Sequence, residues 1–263
     1  MGGLQFETPV LENELVSKSI SVTETPYFYN DGGIARYLAA PPPGITPLTP
    51  APVDPQLALG REYDVPGVIN TSDSQYGLTT QLDILGDTIA FDPMWATREA
   101  AAAFGITLVE PGQVVPLSSP VSGLCHVVYQ YGAFAGHWSP YQNTGNQLLS
   151  VVCTDLEHHD FPHIFASTDI NLPLVISVGR LWPSRKKIRV ADLWVPQGHA
   201  LYIPPMPALL GAECVDLHNN RNSALACWGN IQQNSILTET LLQTENTYSY
   251  WYWDATGTTH TKP

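Results

Sequence analysis

One stretch of this chain reads as a helix, and everything else that is regular reads as short strands. The stretch is Asp92–Phe104, DPMWATREAAAAF. Asp92 is a natural N-cap, and Pro93 suits N1, where its missing N–H costs nothing. The alanines Ala100–Ala103 give high propensity, and Gly105 can take the left-handed conformation that ends a helix. Around this segment the apolar residues come in short runs bounded by Pro, Gly, Asn and Ser. PLVISVGRL (Pro173–Leu181) is nearly continuous, as a strand buried on both faces should be. Lys187–Val195 alternates, and TYSYWYW (Thr247–Trp253) alternates strictly. Leu124–Ala135 and Gln147–Thr154 read as strands around a polar connection, Trp138–Asn146. ITLVEPGQVVPL reads as strand, turn, strand. His199–Ile203, Ala212–Leu217 and Ala224–Ile231 are further short strands. SILTETLLQT suits a helix start at Ser235 and Glu239, or a strand through its threonines. No βαβ rhythm or internal repeat is present. Roughly eight to ten strands with long, turn-rich connections predict an all-β fold: a jelly-roll β-sandwich carrying one short covering helix.

The start of the chain obeys different rules. Nine prolines lie between Pro26 and Pro66. Each lacks a donor and fixes φ, which argues against a central strand or a helix there. Yet Tyr27, Phe28, Tyr29, Ile34, Tyr37, Leu38, Ile45 and Leu48 are too apolar for a free linker. Residues 1–66 are therefore expected to be an extended, Pro-rich N-terminal arm, ordered only against other subunits. Residues 67–263 are expected to be the sandwich domain.

Charge narrows the partners. Charged residues make up 13% of the chain, where about 25% is usual, so Ser, Thr, Asn, Gln and Pro must coat much of the surface. Such a coat suits contact with other protein. Net charge is −13, which argues against whole-domain nucleic-acid binding. The only basic cluster in the sequence is Arg180, Arg185, Lys186, Lys187 and Arg189. A phosphate contact would fall on Arg185, Lys186, Lys187 and Arg189; a solvated loop and strand end is the plainer expectation. Cys125, Cys153, Cys214 and Cys227 form no CxxC pair and read as free thiols. Residues 1–25 lack the apolar segment of a signal peptide, so disulfides are not expected. No run reaches the roughly 18–20 apolar residues of a membrane helix.

Chemistry is sought first at the eight histidines. His158, His159 and His163 stand together in EHHDFPHIF, and imidazole with carboxylate suits zinc or non-haem iron. Pro162 prevents His159 and His163 from sharing a helical face. In a continuous strand they would lie about 13 Å apart at ~3.3 Å per residue, too far for one ion. Only a loop between them could close that gap. No metal and no cofactor are expected on this reading, and His158, His159 and His163 are the candidates if a metal is held. The cupins, which are jelly rolls, need H-x-H with a downstream Glu, and a Pro-x-Gly-x-x-His run. Here His158 and His159 are adjacent, and Pro196-Gln197-Gly198-His199 brings its histidine too early. A cupin-like enzyme using His158, His159, His163 or His137 is kept as the alternative. A carbohydrate-binding sandwich using Trp251 and Trp253 is another. No G-x-S-x-G, H-E-x-x-H, Walker or G-x-G-x-x-G motif is present in the sequence.

The block YGAFAGHWSPYQNTGNQLLSVV resembles the central strands of jelly-roll capsid proteins of picorna-like viruses. VPQGHALYIPP is similar to the strand and Pro-rich turn near their capsid surface, and DPMWATREAAAAF stands where those sandwiches carry a short helix. Their central WRG-type tripeptide is absent: Phe134-Ala135-Gly136-His137-Trp138 stands in its place. The resemblance spans about residues 65–232. It implies a non-catalytic shell subunit of a small icosahedral virus, located in the virion and assembled in the host cytoplasm. Its partners would be copies of itself or other capsid proteins, with weak or indirect genome contact and no membrane.

Overall fold

A computed structural model describes residues 13–50, 58–73, 77–86, 88–131, 142–143, 149–151, 154–167, 174–205, 214–218, 236–242, 248–253, 257–260 and 263. Nearly all regular structure in these residues is β, so the all-β expectation holds. A sheet of six runs in the order β1 (Asn13–Ser21), β11 (Gly123–Tyr131), β20 (Ile236–Leu242), β15 (His163–Ser167), β18 (Ala200–Ile203), β9 (Thr107–Val109). A sheet of nine runs β4 (Arg61–Asp64), β17 (Lys187–Val195), β16 (Leu174–Trp182), β19 (Val215–His218), β14 (Thr154–His159), β21 (Tyr248–Trp253), β6 (Gly77–Asp83), β5 (Gly67–Asp73). Its ninth strand, β8 (Asp92–Trp95), pairs in parallel with β17. Two small sheets complete the set: β10 (Val114–Pro116), β2 (Tyr27–Asp31), β3 (Ile34–Leu38), and β12 (Gln142–Asn143), β13 (Leu149–Val151), β22 (Gly257–His260), β7 (Thr88–Ala90).

Long, apolar β16 and alternating β17 pair along their whole length, from Leu174↔Val195 to Trp182↔Lys187. Every residue of β16 is buried, as its near-continuous apolar run requires. Leu174, Ile176 and Val178 face one way, with Ala191, Leu193 and Val195, against Phe165, Leu201 and Ile203 of the six-stranded sheet. That cluster is the core between the two large sheets. On the opposite side of the nine-stranded sheet, Leu156, Leu181, Ile188, Val190, Leu217, Trp251 and Trp253 pack with Leu82, Ile89 and Phe91. A third cluster joins the six-stranded sheet to the β2–β3 hairpin through Phe28, Ile164, Tyr202 and Leu241. Beside Leu156, on the outer face of the nine-stranded sheet, Gly179 permits a close approach: a Cβ on it would lie 2.6 Å from Cδ1 of Leu156.

Two expectations change and one open reading is decided. The helix is shorter than its sequence signal: α1 spans Arg98–Ala102, and its N-cap is Thr97, whose hydroxyl accepts from the Ala100 N–H at 3.1 Å. Asp92–Trp95 go instead to β8, because β17 offers backbone partners that outweigh a first helical turn. Pro93 is tolerated there because β8 pairs with β17 alone. The predicted terminator holds, with Gly105 at φ +72°.

The arm expected at residues 1–66 is not a separate strap over its described part. β1 pairs with β11 of its own chain, and β4 pairs with β17. β2 is the central strand of its small sheet, and the left-handed Gly32 and Gly33 turn it into β3. The prolines follow that hairpin, at Pro41 to Pro50, where Leu48 N–H still bonds Val114 O at 2.7 Å. Proline forbids a central strand only at the positions it occupies, and none lies between Tyr27 and Leu38. Finally, Ile236–Leu242 is a strand, since its backbone pairs on both sides, with β11 and β15. The Trp138–Asn146 connection and Ala224–Ile231 fall largely or wholly outside the described residues.

Candidate metal centre

β14 reads Thr154-Asp155-Leu156-Glu157-His158-His159. Side chains alternate across a strand, so Glu157 and His159 share one face and His158 takes the other. Glu157 stands opposite His218 of β19, and His218 stands opposite Val178 of β16. Val178 belongs to the core between the sheets, so Glu157, His159 and His218 face that interior. After His159 the chain turns through Asp160-Phe161-Pro162 and enters the other sheet as β15, whose first residue is His163. The turn brings back the side chain that a continuous strand would carry away.

The ring nitrogens then meet. His159 Nε2 lies 3.2 Å from His163 Nδ1 and 3.1 Å from His218 Nε2, and the third edge, His163 Nδ1 to His218 Nε2, is 3.4 Å. Glu157 Oε1 lies 3.6 Å from His218 Nε2 and 3.9 Å from His159 Nε2. One donor atom from each of the four residues falls within 4.8 Å of all the others. The four residues are between 1% and 2% exposed.

His159 Nδ1 lies 2.7 Å from the carbonyl of Phe161. A carbonyl only accepts, so Nδ1 carries the proton and Nε2 turns its lone pair toward the other two rings. Burial drives His159 down to about 3, with the Phe161 carbonyl opposing, and holds His163 and His218 well below the ordinary imidazole value. All three rings are therefore neutral near pH 7. Three neutral nitrogens in mutual contact cannot turn all three edges into hydrogen bonds. Each is either an N–H or a lone pair, so two of the three must match, and at least one edge sets like against like. His163 offers no relief, since its buried Nε2 has no hydrogen-bond partner among the described residues.

A cation removes the conflict. For an ion about 2.05 Å from each nitrogen, edges of 3.1–3.4 Å subtend roughly 100–110°, nearer to tetrahedral than to octahedral. Three imidazoles and a carboxylate suit zinc, and also iron, manganese or nickel. The Phe161 carbonyl on His159 Nδ1 is the kind of outer contact that fixes a ligand's tautomer.

The remaining candidates are placed as follows. His158 points away from the cluster, accepts from Trp251 Nε1 at 3.0 Å, and is lowered to about 4 by burial. His137 lies outside the described residues. Trp251 and Trp253 are buried in the core, so neither offers a ring face to a sugar. Lys187 pairs with Asp64 and with Glu62 at 3.6 Å, and Arg189 with Glu62 at 2.6 Å. Arg185 and Lys186 occupy an exposed turn after β16. Two of these cations, Lys187 and Arg189, are thus matched by the acids of β4. Arg180, the fifth cation, is fully buried, ion-paired with Asp216 at 3.0 Å, and donates from Nε to Cys214 Sγ at 3.3 Å and from Nη1 to the Ala103 carbonyl at 2.7 Å. Cys125 and Cys214 are free thiols, half-buried.

Glu157 and His218 escaped the sequence reading. Glu157 had a local signal, its place two residues before His159 in a strand. His218 had none, because nothing in its neighbourhood distinguishes it. No helix among the described residues is long and apolar enough to cross a membrane. Comparison with protein-family models, curated proteins and solved structures finds no match to this chain.

Proposed function

We propose that this protein is a metal-binding jelly roll that holds one divalent transition-metal ion on Glu157, His159, His163 and His218. The observation that carries the reading is the nitrogen triangle, buried, neutral and with at least one edge that no hydrogen bond can fill. The jelly-roll assignment is supported by strand order. Numbering β11, β14, β15, β16, β17, β18, β19 and β20 from one to eight, the six-stranded sheet contains 1-8-3-6 and the nine-stranded sheet 5-4-7-2. Two interlocked Greek keys generate that order. The ligands sit on the second, third and seventh of these strands. The donor set resembles that of the cupins, with the carboxylate and one imidazole exchanged: Glu157-x-His159 with a downstream His163, in place of H-x-H with a downstream Glu.

The test is elemental analysis of protein purified without a histidine tag, before and after incubation with zinc or iron. One ion per chain is expected, falling to a small fraction in His159→Ala and unchanged in His158→Ala. A wild-type chain that stays metal-free after loading sinks the reading.

A second reading, a shell subunit of a small icosahedral virus, is compatible with the first. It is supported by the same strand order and by a surface that must be poor in charge, with 13% charged residues overall. Negative-stain images and size-exclusion of the expressed chain test it. Closed particles support it; a monomer at all concentrations and salts defeats it.

A further inference from the structure

The four donors come from two different sheets. Glu157, His159 and His218 belong to the nine-stranded sheet, and His163 opens β15 of the six-stranded sheet. Aromatic rings close around them. Phe161 stacks on His159 with centroids 3.7 Å apart and planes 7° from parallel, and Phe165 meets His163 edge-on at 4.8 Å. A crevice reaches the cluster at His218, alone of the four donors. It is lined by Phe104, Ile106, Ile203 and Leu217, with Asp216 on its wall. Four protein ligands fill a tetrahedral ion, and structural sites are closed in this way, whereas catalytic sites keep a position open.

Resting on the metal-binding reading, we infer that the ion is a closed structural staple that locks the two large sheets together, and not an open catalytic centre. It replaces the repulsive edge of the imidazole triangle with bonds that exist only when β14, β15 and β19 are all in place. Binding is therefore coupled to folding, as for other sites that the unfolded chain cannot offer.

Three measurements on the full-length chain test this. Cobalt(II) loaded in place of the native ion should give the intense visible bands of four-coordinate cobalt, unchanged by excess azide. Stripping the ion with a chelator should lower the thermal midpoint by at least about 5 °C. It should also speed amide exchange in β14, β15 and β19 more than in β17. In His163→Ala the chelator should have no effect. Should that variant fail to fold, Glu157→Gln, which keeps the shape and loses the charge, should show weakened binding and a chelator effect at least halved. Cobalt bands that shift with azide overturn the inference, since a position is then open. So does an ion bound at one per chain whose removal leaves the midpoint unchanged. A chain that binds neither zinc nor cobalt overturns the metal reading itself, and the staple with it.

Discussion

Two buried polar groups sit two residues apart on one face of β19, and they are opposite in kind. Asp216 meets Arg180, directly across on β16, at 3.0 Å. Arg180 also reaches the Ala103 carbonyl at the end of α1, so charge faces charge and donor faces acceptor. His218 instead meets His159 and His163, three like groups converging on one point. The first group sets opposite charges against each other. The second gathers four metal-ligand atoms around one point. Burial alone does not mark a site; what marks one is a convergence of like ligand atoms on one point.

The largest test of this contrast is Asp216→Ala. It strands a buried guanidinium and should cost about 3–5 kcal/mol in urea unfolding, with or without metal. Equal stability to wild type would show that Arg180 finds another acceptor. At the other group the loss should depend on the ion. At zinc one hundred times its Kd, His159→Ala should forfeit about 3 kcal/mol of linked stability, and in chelator only the packing loss should remain. Losses of equal size in both conditions would make the cluster an ordinary core patch.

Titration sharpens the same comparison. Burial raises Asp216 to about 6, with Arg180 pulling the other way. The folded state therefore holds this proton more tightly than the unfolded chain, whose value is near 4. The stabilisation is fully present below pH ~4 and is lost as pH rises through about 6, a span worth up to about 3 kcal/mol. Asp216→Asn should flatten that part of the stability–pH curve. An unchanged slope would assign it to other groups. The smallest expected effect is Gly179→Ala, which brings a methyl against Leu156. It should cost about 1 kcal/mol, since only the tip of a leucine has to turn. A cost near that of Asp216→Ala would mean that β16 itself moves.

The long core strands were legible because alternation and apolar runs are local properties, whereas β14 and β15, which carry three of the four site residues, were not read as strands. Leu174–Trp182, Lys187–Val195 and Tyr248–Trp253 each coincide, within a residue or so, with a pattern in the chain. Asp92–Trp95 was misread because helix capping is local too, whereas the partner that captured it, Ala191–Trp194, lies about a hundred residues away. The hairpin at Tyr27–Leu38 was hidden by counting prolines over a whole segment without asking where they sit.

The candidate site divides along the same line. The sequence by itself determined that His159 and His163 lie four apart across a proline; Glu157 joins the face of His159 only once Thr154–His159 is known to be a strand. The tertiary structure alone decided that Asp160–Pro162 turns the chain between two sheets, that His158 faces Trp251 instead of the cluster, and that His218, 55 residues beyond His163, closes the triangle. Such convergence depends on the pairing of β14 with β19 and on the packing of one sheet over the other, which no stretch of chain specifies alone.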